Sequence, residues 1–174
     1  MCRTLGHASG GTLETEAQAA AAGAGEGNGV RFDASAQVVK SEGGGSTTVT
    51  VNSTRNIIMS AGAELSSSSG ALNVNFNADA KGDLSVDGRP GGAIAMSGAS
   101  IQSNGGGVRF YGQGNAANGR AAGGQQNGAY AKEVGLDLEG ILLEDSTVSI
   151  CARGQASCSG GGRISLRGQG GALT

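Results

Sequence analysis

Few residues in this chain are equipped for chemistry, and their spacing argues against most of it. The only histidine is His7, so a multi-histidine metal centre is excluded. The run Ser66–Ser69 has no companion histidine and reads as a strand edge or turn. Asp79, Asp83 and Asp87 stand four apart, whereas an EF-hand loop alternates its ligands by two and closes with Glu. The nonapeptide of calcium β-rolls is missing as well. These acids read as solvated loop residues, with a weak Ca²⁺ contact as the alternative. Asp137, Glu139, Glu144 and Asp145 gather late in the chain. Paired carboxylates of a glycosidase are defined by a distance in space, so a β-helical polysaccharide lyase or hydrolase is the rival reading. A shortage of aromatics to stack on sugar rings counts against it. Gly112-Gln113-Gly114-Asn115-Ala116-Ala117 fits G-x-G-x-x-A, but Asn118-Gly119 and Gly123-Gly124 break the helix that would hold a pyrophosphate. No catalytic residue, no cofactor and no metal ligand is therefore expected. Cys151 and Cys158 are spaced more widely than a C-x-x-C pair. They are either two free thiols or a small loop-closing disulfide, which would imply an oxidising exterior. Asn52-Ser53-Thr54 is a glycosylation sequon, meaningful only in an exported pathway.

What must position such residues is an unusual chain. Of 174 residues 35 are Gly, about one in five against a usual ~7%. Aromatics are 3%, Trp is absent and Pro occurs once, so large side chains are too scarce for a conventional core. Hydrophobic residues at 37% are too many for plain disorder. Charge is nearly balanced, 12 Lys and Arg against 14 Asp and Glu, which gives no reason to expect a nucleic-acid partner. No stretch approaches the ~18 apolar residues of a membrane span. Met1–Gly10 has no continuous apolar run, so no signal peptide is expected.

Periodicity organises the rest. Val30-Arg31-Phe32 through Val38 aligns without a gap on Ile57-Ile58-Met59 through Leu65. Ile94-Ala95-Met96 through Ile101 and Ile141-Leu142-Leu143 through Val148 follow the same plan. Each copy is an apolar-x-apolar triplet, a small or polar turn, and another apolar residue. A second alternating strand follows each: Val49-Thr50-Val51, Leu72–Phe76, Val108-Arg109-Phe110 and Ile164-Ser165-Leu166. Alternation places Leu72, Val74 and Phe76 inward and sends Asn73, Asn75 and Asn77 to a solvated outer face. The copies start 27, 37 and 47 residues apart. A solenoid tolerates such variation, because surplus residues bulge out at the corners and loop closure costs only logarithmically with length. One coil cannot cover its own apolar face, so neighbours must fold together. The expected fold is all-β: a right-handed parallel β-helix of about four coils with loop insertions.

Residues 1–29 lack the pattern and are expected to form an Ala/Gly-rich lead-in or loop. Residues 30–174 form the β-helix stalk, uncapped at its C-terminus, which reads as a slice of something longer. The insertions at residues 81–92 and 112–128 are the natural contact surfaces. Lys81, Asp83, Asp87 and Arg89 in the first, with Gln113, Asn115 and Arg120 in the second, are the candidate contact residues.

Three stretches resemble a known group. Gly62-Ala63-Glu64-Leu65 through Leu72-Asn73-Val74-Asn75-Phe76-Asn77-Ala78-Asp79, Gly91–Met96 through Val108, and Gly161–Leu166 are similar to repeats of the large two-partner-secretion exoproteins. These are the proteins related to filamentous haemagglutinin and to high-molecular-weight adhesins of Gram-negative bacteria. The similarity covers residues 29–171. It implies a long right-handed β-helix, exported through an outer-membrane secretion partner and found secreted or at the cell surface as part of a longer protein. The implied role is adhesion to host or neighbouring-cell surface molecules, or in some members haem acquisition or contact-dependent toxicity. The N-P-N signature of the family's secretion domain is absent, the sole proline being Arg89-Pro90-Gly91. The resemblance is therefore to the shaft, and it brings no catalytic residues with it.

Overall fold

The computed structural model describes residues 29–82, 92–122, 140–152, 154–155, 158 and 161–169, together with the backbone of 3–4 and 12–17. His7, Asp83, Asp87, Arg89, Asp137 and Glu139 lie outside the described residues. Among those described there is no helix.

Strands recur in threes. After β1 (Arg3–Thr4) and β2 (Thr12–Ala17) come β3 (Val30–Phe32), β4 (Gln37–Lys40) and β5 (Thr47–Ser53). The next set is β6 (Ile57–Met59), β7 (Glu64–Ser67) and β8 (Leu72–Ala78). Then follow β9 (Ile94–Ser97), β10 (Ser100–Gln102), β11 (Val108–Gly112) and the short β12 (Ala121–Ala122). The last set is β13 (Ile141–Glu144), β14 (Thr147–Ser149), β15 (Ile164–Leu166) and the short β16 (Gly168–Gln169).

Every pairing is parallel and joins strands one repeat apart. The first sheet runs β3-β6-β9-β13, the second β1-β4-β7-β10-β14 and the third β2-β5-β8-β11-β15. This arrangement is compatible with a β-helix. Repeats aligned from sequence land in register: Val30, Ile57, Ile94 and Ile141 are successive partners, as are Phe32, Met59, Met96 and Leu143. So are Val38, Leu65, Ile101 and Val148, and Val51, Phe76, Phe110 and Leu166. Like side chains thus pile on like. Phe76 stacks on Phe110 at 5.1 Å between ring centroids and on Phe32, across the core, at 5.8 Å. Offset stacking of this kind adds roughly 0.5–1.5 kcal/mol per pair to simple burial.

Three findings go beyond the sequence pattern. First, β1 pairs with β4 and β2 with β5, Leu13 opposite Val49 and Thr15 opposite Val51. The segment expected to be a lead-in thus contributes strands to two sheets. Second, Ile58 and Ala95, at the "x" of the triplet, are buried in a second cluster with Ala93, Leu142 packing on it. The first sheet is apolar on both faces there, because Ile57-Ile58-Met59 is an unbroken apolar run instead of an alternation. Third, the last strands are less covered: Leu143, Ile164 and Leu166 are 38%, 41% and 42% exposed, each on a strand with a single neighbour.

Corners use two devices. Ser53, Ser67 and Ser103, all fully buried, donate to the carbonyls of Asn56, Gly70 and Gly106, three residues on in each case. Close stacking then demands glycine: a Cβ on Gly106 would run into the Leu72 carbonyl, and one on Gly162 into that of Gly106. At the Ser67 corner its register partner Lys40, 3% exposed, donates its ammonium to the carbonyls of Glu42, Gly43 and Ser69. A buried charge is tolerated when each of its protons finds an acceptor.

Candidate functional site

The outward positions of the third sheet form continuous rows. Asn75 is the register partner of Thr50 on one side and of Arg109 on the other, and Arg109 is in turn partnered by Ser165. Asn52, Asn77 and Tyr111 make the adjacent row. The asparagines expected to be merely solvated bond between successive repeats. Asn73 donates to the Ser46 hydroxyl at 2.8 Å and Asn77 to the side-chain Oδ1 of Asn52 at 2.9 Å. Their own oxygens accept the backbone N–H of Gly107 and Gly114. Asn77 is in fact 5% exposed, a correction to its expected hydration.

Where the asparagine rows end, the face turns basic. A half-open cleft of about 180 Å³ is lined by Arg109, Phe110, Tyr111, Ala116, Arg163, Ser165 and Arg167. Two parallel strands place these groups. On β11, Val108 and Phe110 point inward and leave Arg109 and Tyr111 outward; beside β15, Arg163, Ser165 and Arg167 share the outward parity, with Ile164 and Leu166 on the inner side. Backbone bonds from Val108 N–H to the Arg163 carbonyl and from Arg167 N–H to the Phe110 carbonyl, both 2.9 Å, fix the spacing. With strands about 4.8 Å apart and about 3.3 Å of rise per residue, the Arg109 Cα lies roughly 8 Å from those of Arg163 and Arg167. Three long side chains rooted so close can converge on one point.

No carboxylate among the described residues lies within ion-pairing distance of Arg109, Arg163 or Arg167. Beside them Tyr111 is 9% exposed. Burial raises its phenol above the ordinary 10.0, while the Arg109 charge pulls the other way. Its hydroxyl stays protonated at neutral pH and can donate.

The candidate contact residues among those described, Lys81, Gln113, Asn115 and Arg120, fall at one neighbouring corner. Lys81 is exposed on the turn closed by the Gly82 N–H bonding to the Asp79 carbonyl at 2.9 Å. That turn lies against Gln113, whose carbonyl would be 3.3 Å from a Cβ on Gly82. Gln113 itself has φ 59°. Asn115 is exposed and accepts from the N–H groups of Ala117 and Asn118 at 2.9 and 3.1 Å, shaping its own loop. Arg120, also exposed, immediately precedes β12. The two insertions thus leave from stacked turns, and Ala116 of the second reaches the arginine cleft. Cys151 and Cys158 are joined in a disulfide with Cα atoms 4.9 Å apart.

Of the late carboxylates, Glu144 is exposed and accepts from the Ser97 hydroxyl at 3.3 Å. Asp145 is exposed at a corner with φ 46°. No group of three or more potential metal ligands occurs among the described residues. Among them, too, no helix is long and apolar enough to cross a membrane. Sequence reasoning missed the three arginines. The signal lay in aligning Val108-Arg109-Phe110 with Ile164-Ser165-Leu166 and then reading the polar positions on either side.

Comparison with protein-family models, with curated proteins and with solved structures yields no match.

Proposed function

We propose that this chain is a segment of a right-handed parallel β-helical shaft belonging to a secreted or cell-surface bacterial exoprotein, a non-catalytic element that presents its corners for adhesion. What supports the solenoid is the strand order: successive repeats occupy neighbouring places in all three sheets, in the same sequence. Right-handedness is the hand expected of parallel crossovers. What supports the exoprotein is the resemblance of the Leu72–Asp79 and Ile94–Val108 runs to two-partner-secretion repeats, a family exported through an outer-membrane partner. The Cys151–Cys158 disulfide suits an oxidising exterior. The observation that carries the adhesive reading is the meeting of the two insertions at stacked turns, with Lys81, Gln113, Asn115 and Arg120 on one exposed corner.

A cell-binding assay tests it. The whole chain should adhere to host or neighbouring cells, and replacing Lys81, Gln113, Asn115 and Arg120 together by Ala should remove most of that binding. Adhesion unchanged by the fourfold substitution in a chain with native circular dichroism would refute the assignment.

A further inference from the structure

The arginine cleft has a composition that a purely structural shaft does not require. Arg109, Arg163 and Arg167 bring three permanent positive charges to one half-open hollow, and no described carboxylate balances them. The neighbouring outward positions Asn73, Asn75 and Asn77, all on β8, are neutral and donate to Ser46, Thr50 and Asn52 of the preceding repeat, so the charge is local and not a general property of the face. Guanidinium groups are forks suited to oxyanions, and two or more can share one tetrahedral group. Ser165 supplies a hydroxyl between Arg163 and Arg167, in register with Arg109. Ala116, the one small apolar wall, comes from the 112–122 segment.

From this geometry we infer that the cleft binds a phosphate monoester carried on a surface sugar or lipid headgroup. Charge selects that class. At neutral pH a phosphate monoester carries about −1.5 to −2, with three acceptor oxygens, while a sulfate ester or carboxylate carries a single charge. Three guanidinium groups gain most from the more highly charged group. Of the two aromatic residues lining the cleft, Phe110 is fully buried and Tyr111 is 9% exposed, which leaves no platform for stacking a nucleic-acid base. The inference names a ligand for the proposed adhesive shaft and takes from that reading only the ligand's origin on a surface.

The test is a titration of the full chain, ¹⁵N-labelled, with methyl phosphate and methyl sulfate, which differ in charge and not in shape. Methyl phosphate should shift the Arg109, Arg163, Ser165 and Arg167 signals and bind at least threefold more tightly than methyl sulfate at pH 7.5. That preference should vanish at pH 5, because the second ionisation of the phosphate lies near ~6. Arg109→Gln, Arg163→Gln and Arg167→Gln should each weaken binding at least threefold, while Arg31→Gln, on the first sheet, leaves it unchanged. Should a Gln variant misfold, Arg109→Lys, which keeps the charge but loses the fork, should still weaken binding. Equal affinity for the two esters, shifts located elsewhere, or binding indifferent to all three substitutions would overturn the inference. Glucose 6-phosphate and phosphatidic-acid vesicles then separate sugar from lipid; binding to either supports the site, and binding to neither overturns it. Loss of cell adhesion in the corner variant with methyl phosphate binding intact would separate the two readings.

Discussion

Phe76 is the residue on which inward stacking can be measured most sharply. It is fully buried, with Phe110 stacked on one side at 5.1 Å and Phe32 at 5.8 Å. Truncating a buried Phe to Ala costs about 3–5 kcal/mol, and two lost ring contacts place Phe76→Ala toward the top of that range. For a chain of this length about 2–4 °C is lost per kcal/mol, so the melting temperature should fall by roughly 10 °C or more. Its chain neighbour Asn75 points outward, half-buried, with only a 3.4 Å bond to the Thr50 hydroxyl. Asn75→Ala should change stability by no more than about 0.5 kcal/mol. Thermal melts followed by far-ultraviolet circular dichroism, with urea unfolding as a second probe, compare the two directly. Similar losses at both positions, or a larger loss at Asn75, would refute the assignment of faces.

Other expectations follow from the corners and the cleft. Gly106→Ala must displace the Leu72 carbonyl and should cost about 2 kcal/mol or more, whereas Gly44→Ala, with nothing within 4 Å of the new Cβ, should melt like the parent. Lys40→Met strands the carbonyls of Glu42, Gly43 and Ser69 and should destabilise by about 1–3 kcal/mol in a urea titration. Cys158→Ser opens the loop from Cys151 and should cost at most about 2.5 kcal/mol on chain-entropy grounds; reductant should give the parent the same shift and leave the variant unmoved. Because burial raises the Tyr111 phenol, the folded state holds that proton more tightly than the unfolded one. Its contribution is therefore complete below pH 10 and is lost as pH rises above it, so Tyr111→Phe should flatten the alkaline fall in stability seen in parallel melts.

Much of the fold was legible because the apolar positions repeat. Val30, Ile57, Ile94 and Ile141 could be aligned by eye, and their alignment is their register. The first and third strands of each repeat, and the inward parity of Val74 and Phe76, followed from alternation, whereas the middle strands β4, β7, β10 and β14 showed in the sequence only as the single apolar residues Val38, Leu65, Ile101 and Val148. Thr12–Ala17 escaped notice because Leu13 is its only large apolar residue, too weak a signal beside the glycine and alanine around it. Burial of Ile58 and Ala95 was hidden for the opposite reason: a triplet read as alternating was apolar throughout. The arginine cleft draws on residues more than fifty positions apart in the chain, and only a register between third-sheet strands brings Arg109 beside Ser165. Local spacing carries no trace of that.

The molecule contains three phenylalanines, and all three belong to the ring stack, which makes the stacking of repeats directly observable. With only the phenylalanine rings carrying protons in an otherwise deuterated chain, nuclear Overhauser cross-peaks should link Phe32 to Phe76 and Phe76 to Phe110. Rings without mutual cross-peaks in the folded chain would contradict the stacking of successive repeats, and with it the shaft that the functional proposal requires.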